Sequence, residues 1–189
     1  MGTRRRLLIK NIDKEILAER IKNNYSIGRT AELDYEYREI FLDEMNYVLI
    51  LFDAYLENWT EIELDFNESV EEHDTFLKNI SKEFKTTVLF GYEQTTSGSA
   101  RLLVLKNGKT IRSIYQKFQL SYKFIMEHNF GMRLESESHF EYPSLGEEIT
   151  EGYKFLSFDE IQKMFSDAGF TGKERTSFDN RYLHLEYLK

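Results

Sequence analysis

The chain has 189 residues, 41% hydrophobic, 31% charged and 15% aromatic, with a net charge of −8 and no cysteine. A chain of that length buries roughly 70% of its unfolded surface without crosslinks, and the lack of cysteine excludes disulfides, thiolate metal ligands and cysteine nucleophiles, which fits a cytoplasmic setting. The negative balance argues against nucleic-acid binding, which needs lysine and arginine to release counterions from phosphates, and the longest apolar stretch, 47–56, is broken by Asp53 and falls far short of the roughly 20 residues of a membrane span.

At the N-terminus, Arg4, Arg5 and Arg6 precede the apolar run 7–9, a pattern that flanks an edge strand more often than it binds a polyanion. Asp13 is placed to cap a helix over 14–24 with Ile16, Leu17 and Ile21 inward. Residues 26–46 fit two periods: Leu33, Tyr35 and Tyr37 alternate as in a strand, Leu33, Tyr37 and Ile40 are spaced as in a helix, and 38–45 lean to helix. A strand is expected near 47–55 and another near 59–66, where Thr60, Ile62, Leu64 and Phe66 alternate with Trp59, Glu61, Glu63 and Asp65. Ser69 and Glu72 spell a capping box, in which each side chain satisfies an orphan backbone donor of the other. It opens a helix over 70–84 with Phe76, Leu77, Ile80 and Phe84 along one face.

The stretch from Gly91 to Phe118 has a glycine- and hydroxyl-rich segment followed by a lysine, as a phosphate loop would. Such a loop must lead from a strand directly into a helix, whose N-terminus holds the phosphate. Here residues 100–106 are again strand-like, and Asn107 with Gly108 is the strongest short hairpin signal, because a type I′ turn needs positive φ at both central positions. The spacing therefore predicts strands near 87–93, 100–106 and 109–118, joined by hairpins at 95–99 and 107–108. Residues 119–155 read as largely irregular, with turns at Pro143, Gly146 and Gly152. Ser157 and Glu160 form a second capping box before a helix near 158–168, and a closing strand is expected near 181–188. The whole, 1–189, reads as a single α+β domain with a mainly antiparallel sheet.

Chemistry is sparse. His73, His128, His139 and His184 show no metal-binding spacing, no nucleophile elbow exists, and neither a cofactor, a metal site nor a catalytic set is expected. His73 lies on the apolar stripe of its helix and reads as structural, and His184 lies on the polar side of the last strand. Charge is the regional anomaly. Residues 39–77 contain twelve acids and no lysine or arginine. On the strand near 59–66, Glu61, Glu63 and Asp65 share a face with Trp59, and Glu57 lies just before it. Like charges roughly 6.6–6.8 Å apart on one strand face repel, a cost that a basic partner would offset, with Trp59 as an accessible anchor.

The function expected from this pattern is a non-enzymatic protein-binding module that presents an acidic face to a basic protein, as a bacterial immunity protein does to a cationic toxin such as a nuclease. The alternative is a small-molecule-binding protein or enzyme with a pocket between the sheet and 119–155, lined by Tyr92, Tyr115, His128 and His139. A third reading is self-association into a homodimer through the aromatics of 35–59.

Overall fold

The computed structural model describes residues 3–25, 27–34, 47–51, 55–64, 69–119, 123–138, 141–150, 153–174 and 181–187. In chain order the elements are β1 (Thr3–Lys10), α1 (Lys14–Lys22), β2 (Ile27–Asp34), β3 (Tyr47–Leu51), β4 (Trp59–Leu64), α2 (Val70–Glu83), β5 (Thr87–Gln94), β6 (Ser99–Lys106), β7 (Lys109–Gln119), β8 (Lys123–Gly131), a 3-10 turn (Glu135–Glu137), α3 (Phe158–Asp167) and β9 (Arg181–Tyr187). This is an α+β fold, and the pairings β2–β9, β9–β3, β3–β4, β5–β6, β6–β7 and β7–β8 are all antiparallel. The chain divides into two compact units, Met1–Leu7 with Leu77–Thr171 and Leu8–Phe76 with Gly172–Lys189.

The unit built on 8–76 and 172–189 orders its strands β2, β9, β3, β4. Helix α1 starts where Asp13 accepts hydrogen bonds from the backbone N–H groups of Glu15 (3.0 Å) and Ile16 (3.2 Å). Those bonds, that from Ile16 first, hold the Asp13 carboxyl below its ordinary range. Leu17, Ala18 and Ile21 are buried, but Ile16 is 54% exposed, so the expected inward position is corrected. At 100° per residue, a stripe centred on Leu17 and Ile21 takes Ala18 as its third member and leaves Ile16 at the margin. The capping box of α2 is present: the Glu72 carboxylate accepts from the Ser69 N–H at 3.0 Å and from its hydroxyl at 2.9 Å. His73, Phe76, Leu77 and Ile80 line the buried side, His73 in the structural position expected of it. The helical reading of 38–45 falls outside the described residues.

The unit built on 77–171 is a four-strand meander, β5–β6–β7–β8. Its turns follow their chemistry. Asn107 (φ 52°) and Gly108 (φ 77°) make the expected turn, and Gly98 (φ 72°) closes the other hairpin. No helix begins within 99–105, so the phosphate-loop geometry is absent. Residues 119–155, expected to be largely irregular, contain β8, a correction with an identifiable cause. Tyr115 pairs with His128 but Gln116 pairs with Met126, so Glu127 is an extra residue in a β-bulge. Phe124 and Met126 therefore lie on one face of the sheet and His128 and Phe130 on the other.

Register assigns the two faces. One carries Gly91, Leu102, Arg112, Ile114 and Gln116, and α3 packs on it with Ile161, Met164 and Phe165 fully buried. The other presents two successive cross-strand rows, Phe90–Leu103–Ser113–Phe130 and Tyr92–Arg101–Tyr115–His128. Ser157 caps α3 by accepting from the Glu160 N–H at 3.3 Å, and its hydroxyl donates to the Glu160 carboxylate. Gly91 has a packing reason. A Cβ there would lie 2.4 Å from Ile161 Cγ2 and 3.2 Å from the Arg101 carbonyl oxygen. Gly91→Ala is expected to lower unfolding free energy by roughly 1–3 kcal/mol through overpacking, read from chemical denaturation midpoints at unchanged slope.

Candidate functional site

The acidic residues singled out from the sequence lie in the unit of 8–76 and 172–189. Glu57 is half-buried in the turn before β4, where Asn58 takes φ 56°. Glu61 and Glu63 are half-buried on β4, opposite Leu51 and Leu49 of β3. Asp65 lies outside the described residues. Trp59 has the expected parity but not the expected exposure. It is 1% exposed, and the Lys10 ammonium lies 5.2 Å from its ring centroid. The accessible indole is thereby corrected. His184, expected on a polar and solvated side, is 2% exposed. It pairs with Leu49, which pairs with Glu63, so register places His184 on the same side of the sheet as the acids. That side is covered near Trp59 and His184, and alternation cannot reveal a covering layer.

Tyr55 explains one of the acids. Its phenol is buried and donates a hydrogen bond to the Glu61 carboxylate, so Glu61 has a structural partner that the charge pattern did not suggest. Glu72 is committed to its cap, and the Ser69 N–H first, then its hydroxyl, hold the carboxyl below its ordinary value. Glu71 is exposed at the first turn of α2, where the helix dipole favours it.

Two buried arginines of the meander were missed by sequence reasoning. Arg112 reaches Glu137 with three contacts, Nε to Oε1 at 2.9 Å, Nε to Oε2 at 3.1 Å and Nη2 to Oε2 at 2.6 Å. It also donates to the Phe130 carbonyl at 3.1 Å and to Asn129 Oδ1 at 2.8 Å. Glu137 is fully buried, and its Oε1 also accepts from the Leu134 N–H at 2.9 Å. Tyr142 sits beside this group, and burial first, then the charges of Glu137 and Glu160, push its phenol well above its ordinary value.

Arg101 serves the opposite face. Its Nη1 donates to the carbonyls of Leu102 (2.7 Å) and Ile114 (2.9 Å) and to Ser113 Oγ (2.9 Å), and it is 0% exposed. Ser113 Oγ lies 3.2 Å from His128 Nδ1. Tyr92 and Tyr115, expected to line a pocket against 119–155, share this row with His128, whereas the segment after β8 packs through Glu137 on the other face. The three residues thus come together in one cross-strand row, with His128 contributed by β8 from within 119–155. His139 lies outside the described residues. The signal for Arg101 was its place in the apolar run of β6, whereas β7 mixes polar and apolar residues and marks Arg112 only by the parity it shares with Ile114.

Among the described residues, no group of three or more metal-ligating side chains converges, and no helix is long and apolar enough to cross a membrane. No protein-family description, curated protein or solved structure is significantly similar to the chain.

Because Trp59 is the only tryptophan, its burial is directly measurable. Its emission is expected to be blue-shifted and weakly quenched by acrylamide in the native state, and strongly quenched after unfolding. For the ion pair, Glu137→Gln is expected to destabilise by about 3–5 kcal/mol, because a buried guanidinium loses its carboxylate; equilibrium denaturation measures it.

Proposed function

We propose that the chain is a protein-binding module that presents acidic surface from the unit of 8–76 and 172–189 to a cationic protein. One observation carries this reading: the charge asymmetry follows the structural division. That unit holds 21 acids and 10 bases, a net −11, while the unit of 1–7 and 77–171 holds 12 acids and 15 bases, a net +3. A field concentrated in one unit accelerates encounter with a partner of opposite sign and disfavours wrong partners. Of the described acids of 39–77, Glu71 and Glu72 are exposed and Glu57, Glu61, Glu63 and Asp74 half-buried. Glu72 is committed to its cap and Glu61 to Tyr55, which leaves Glu63 and Glu71 as the positions to vary, and the buried Trp59 does not contact the partner. A basic toxin such as a nuclease belongs to the class of partner that this charge would recognise.

The double variant Glu63→Lys with Glu71→Lys tests the reading without touching the bond between Glu61 and Tyr55. Wild type and variant serve as paired baits in extracts of the native host, and a retained partner is then measured kinetically. The wild-type association rate is expected to fall with added salt, because steering is screened over about 8 Å at physiological ionic strength, and the variant is expected to associate more slowly at equal thermal stability. Retention of the same proteins by both baits, independent of salt, would remove the acidic surface from the recognition function.

A further inference from the structure

The strand face opposite α3 carries a second surface, different in chemistry from the acidic one. In its two cross-strand rows, Phe90–Leu103–Ser113–Phe130 and Tyr92–Arg101–Tyr115–His128, the positions Phe90, Leu103, Ser113 and Arg101 are buried, and the four open ones are Tyr92, Tyr115, His128 and Phe130, none of them a carboxylate. The second row and its neighbours form a partly open aromatic strip. Tyr92, Tyr115 and His128 are half-buried, and Phe130 is 49% exposed. The rings are in contact: Tyr115 and His128 meet edge to face at 5.7 Å between centroids, and His128 and Phe130 at 5.6 Å. The Arg101 guanidinium carbon lies 5.8 Å from the Tyr115 ring centroid, and Lys117, exposed, follows Tyr115 by two residues on the same strand and so shares its face.

We propose that this strip binds a small planar aromatic anion. Rings in offset or edge-to-face contact extend an aromatic surface on which a further ring gains stacking energy. Lys117 beside these four open positions, and Arg101 beneath Tyr115, favour negative charge on that ligand, and a cation against one side of an aromatic ring attenuates the negative potential that would repel an anion. Arg101 is buried and acts through Tyr115, whereas Tyr115, His128, Phe130 and Lys117 are the contact residues. The strip lies wholly within the unit of 1–7 and 77–171, so the proposal stands independently of the acidic surface of the other unit.

The test uses the full chain, isotope-labelled and titrated with indole-3-acetate, indole-3-acetamide and cyclohexylacetate while amide shifts are followed. Saturable shifts centred on Tyr92, Tyr115, His128 and Phe130 are expected with indole-3-acetate. Removing the charge (the acetamide) or the planar ring (the cyclohexyl acid) is expected to weaken binding roughly five- to ten-fold, as the loss of one stacking or charge contact does. Lys117→Glu, at an exposed position, is expected to weaken indole-3-acetate by a similar factor and leave the amide unchanged, and Tyr115→Leu is expected to weaken both indoles. Equal binding of all three probes, shifts centred elsewhere, or no shift at millimolar probe would each overturn the proposal, and the exposed Lys117→Glu variant keeps the test meaningful should Tyr115→Leu fail to fold.

Discussion

Among the described residues between β8 and α3 lies one 3-10 turn, Glu135–Glu137, and the buried ion pair of Arg112 with Glu137 ties it to β7. Arg112 and Glu137 are 3% and 0% exposed at the side chain, and bringing two such charges out of water costs several kcal/mol per ion unless the remaining donors and acceptors are also used. They are used. Arg112 spends further N–H groups on Asn129 and the Phe130 carbonyl, Glu137 accepts the Leu134 N–H, and Asn129 Nδ2 in turn donates to the carbonyls of Tyr142 and Pro143. Arg133 closes the loop onto the Glu137 carbonyl at 2.7 Å. Such a network contributes less to net stability than an apolar core of equal volume, but it accepts only one placement of the segment, since any shift leaves a charge or an amide buried without its partner.

That constraint also divides the meander. With Glu137, Leu156 and α3 occupying one face, residues of opposite parity are left to face the other way, and the bulge at Glu127 brings His128 and Phe130 to that side. Without the extra residue, strict alternation would carry His128 and Phe130 to the face of Phe124 and Met126, beneath the segment that the ion pair holds. The aromatic row is therefore a product of a local irregularity, and the fourth strand contributes to it only because its pairing slips by one.

Local signals were legible where the physics is local. Both capping boxes, Ser69 with Glu72 and Ser157 with Glu160, and the Asn107–Gly108 turn were readable because each satisfies its hydrogen bonds or dihedrals within four residues. The strand signal of 123–131 was also present, as Phe124, Met126, His128 and Phe130 alternate, but it was outweighed by turn residues further along the same stretch. Trp59 and His184 mark the boundary of such reasoning. Their parity followed from alternation, while their burial depends on what packs over the strand face, which no period encodes. The arginines are harder still, because the partner of Arg112 lies 25 residues away and is selected by the placement of the segment after β8.

The acids of the other unit require the same separation of local from long-range causes. Glu72 caps a helix and Glu61 accepts the buried Tyr55 phenol, so two of the acids that seemed to advertise a surface are accounted for by bonds within the fold. Glu71 gains from the helix dipole, but that interaction fades within the first turn and is indifferent to the sign of distant residues. None of these terms requires that 39–77 lack every lysine and arginine, because a cap or a dipole works equally well with bases interspersed nearby. What the omission of bases changes is the summed field, which several separated carboxylates build together and no one of them controls. Burial of the only tryptophan removes the aromatic anchor from this surface, so the proposal that the acidic unit binds a cationic partner rests on encounter rate and discrimination more than on a concentrated hot spot.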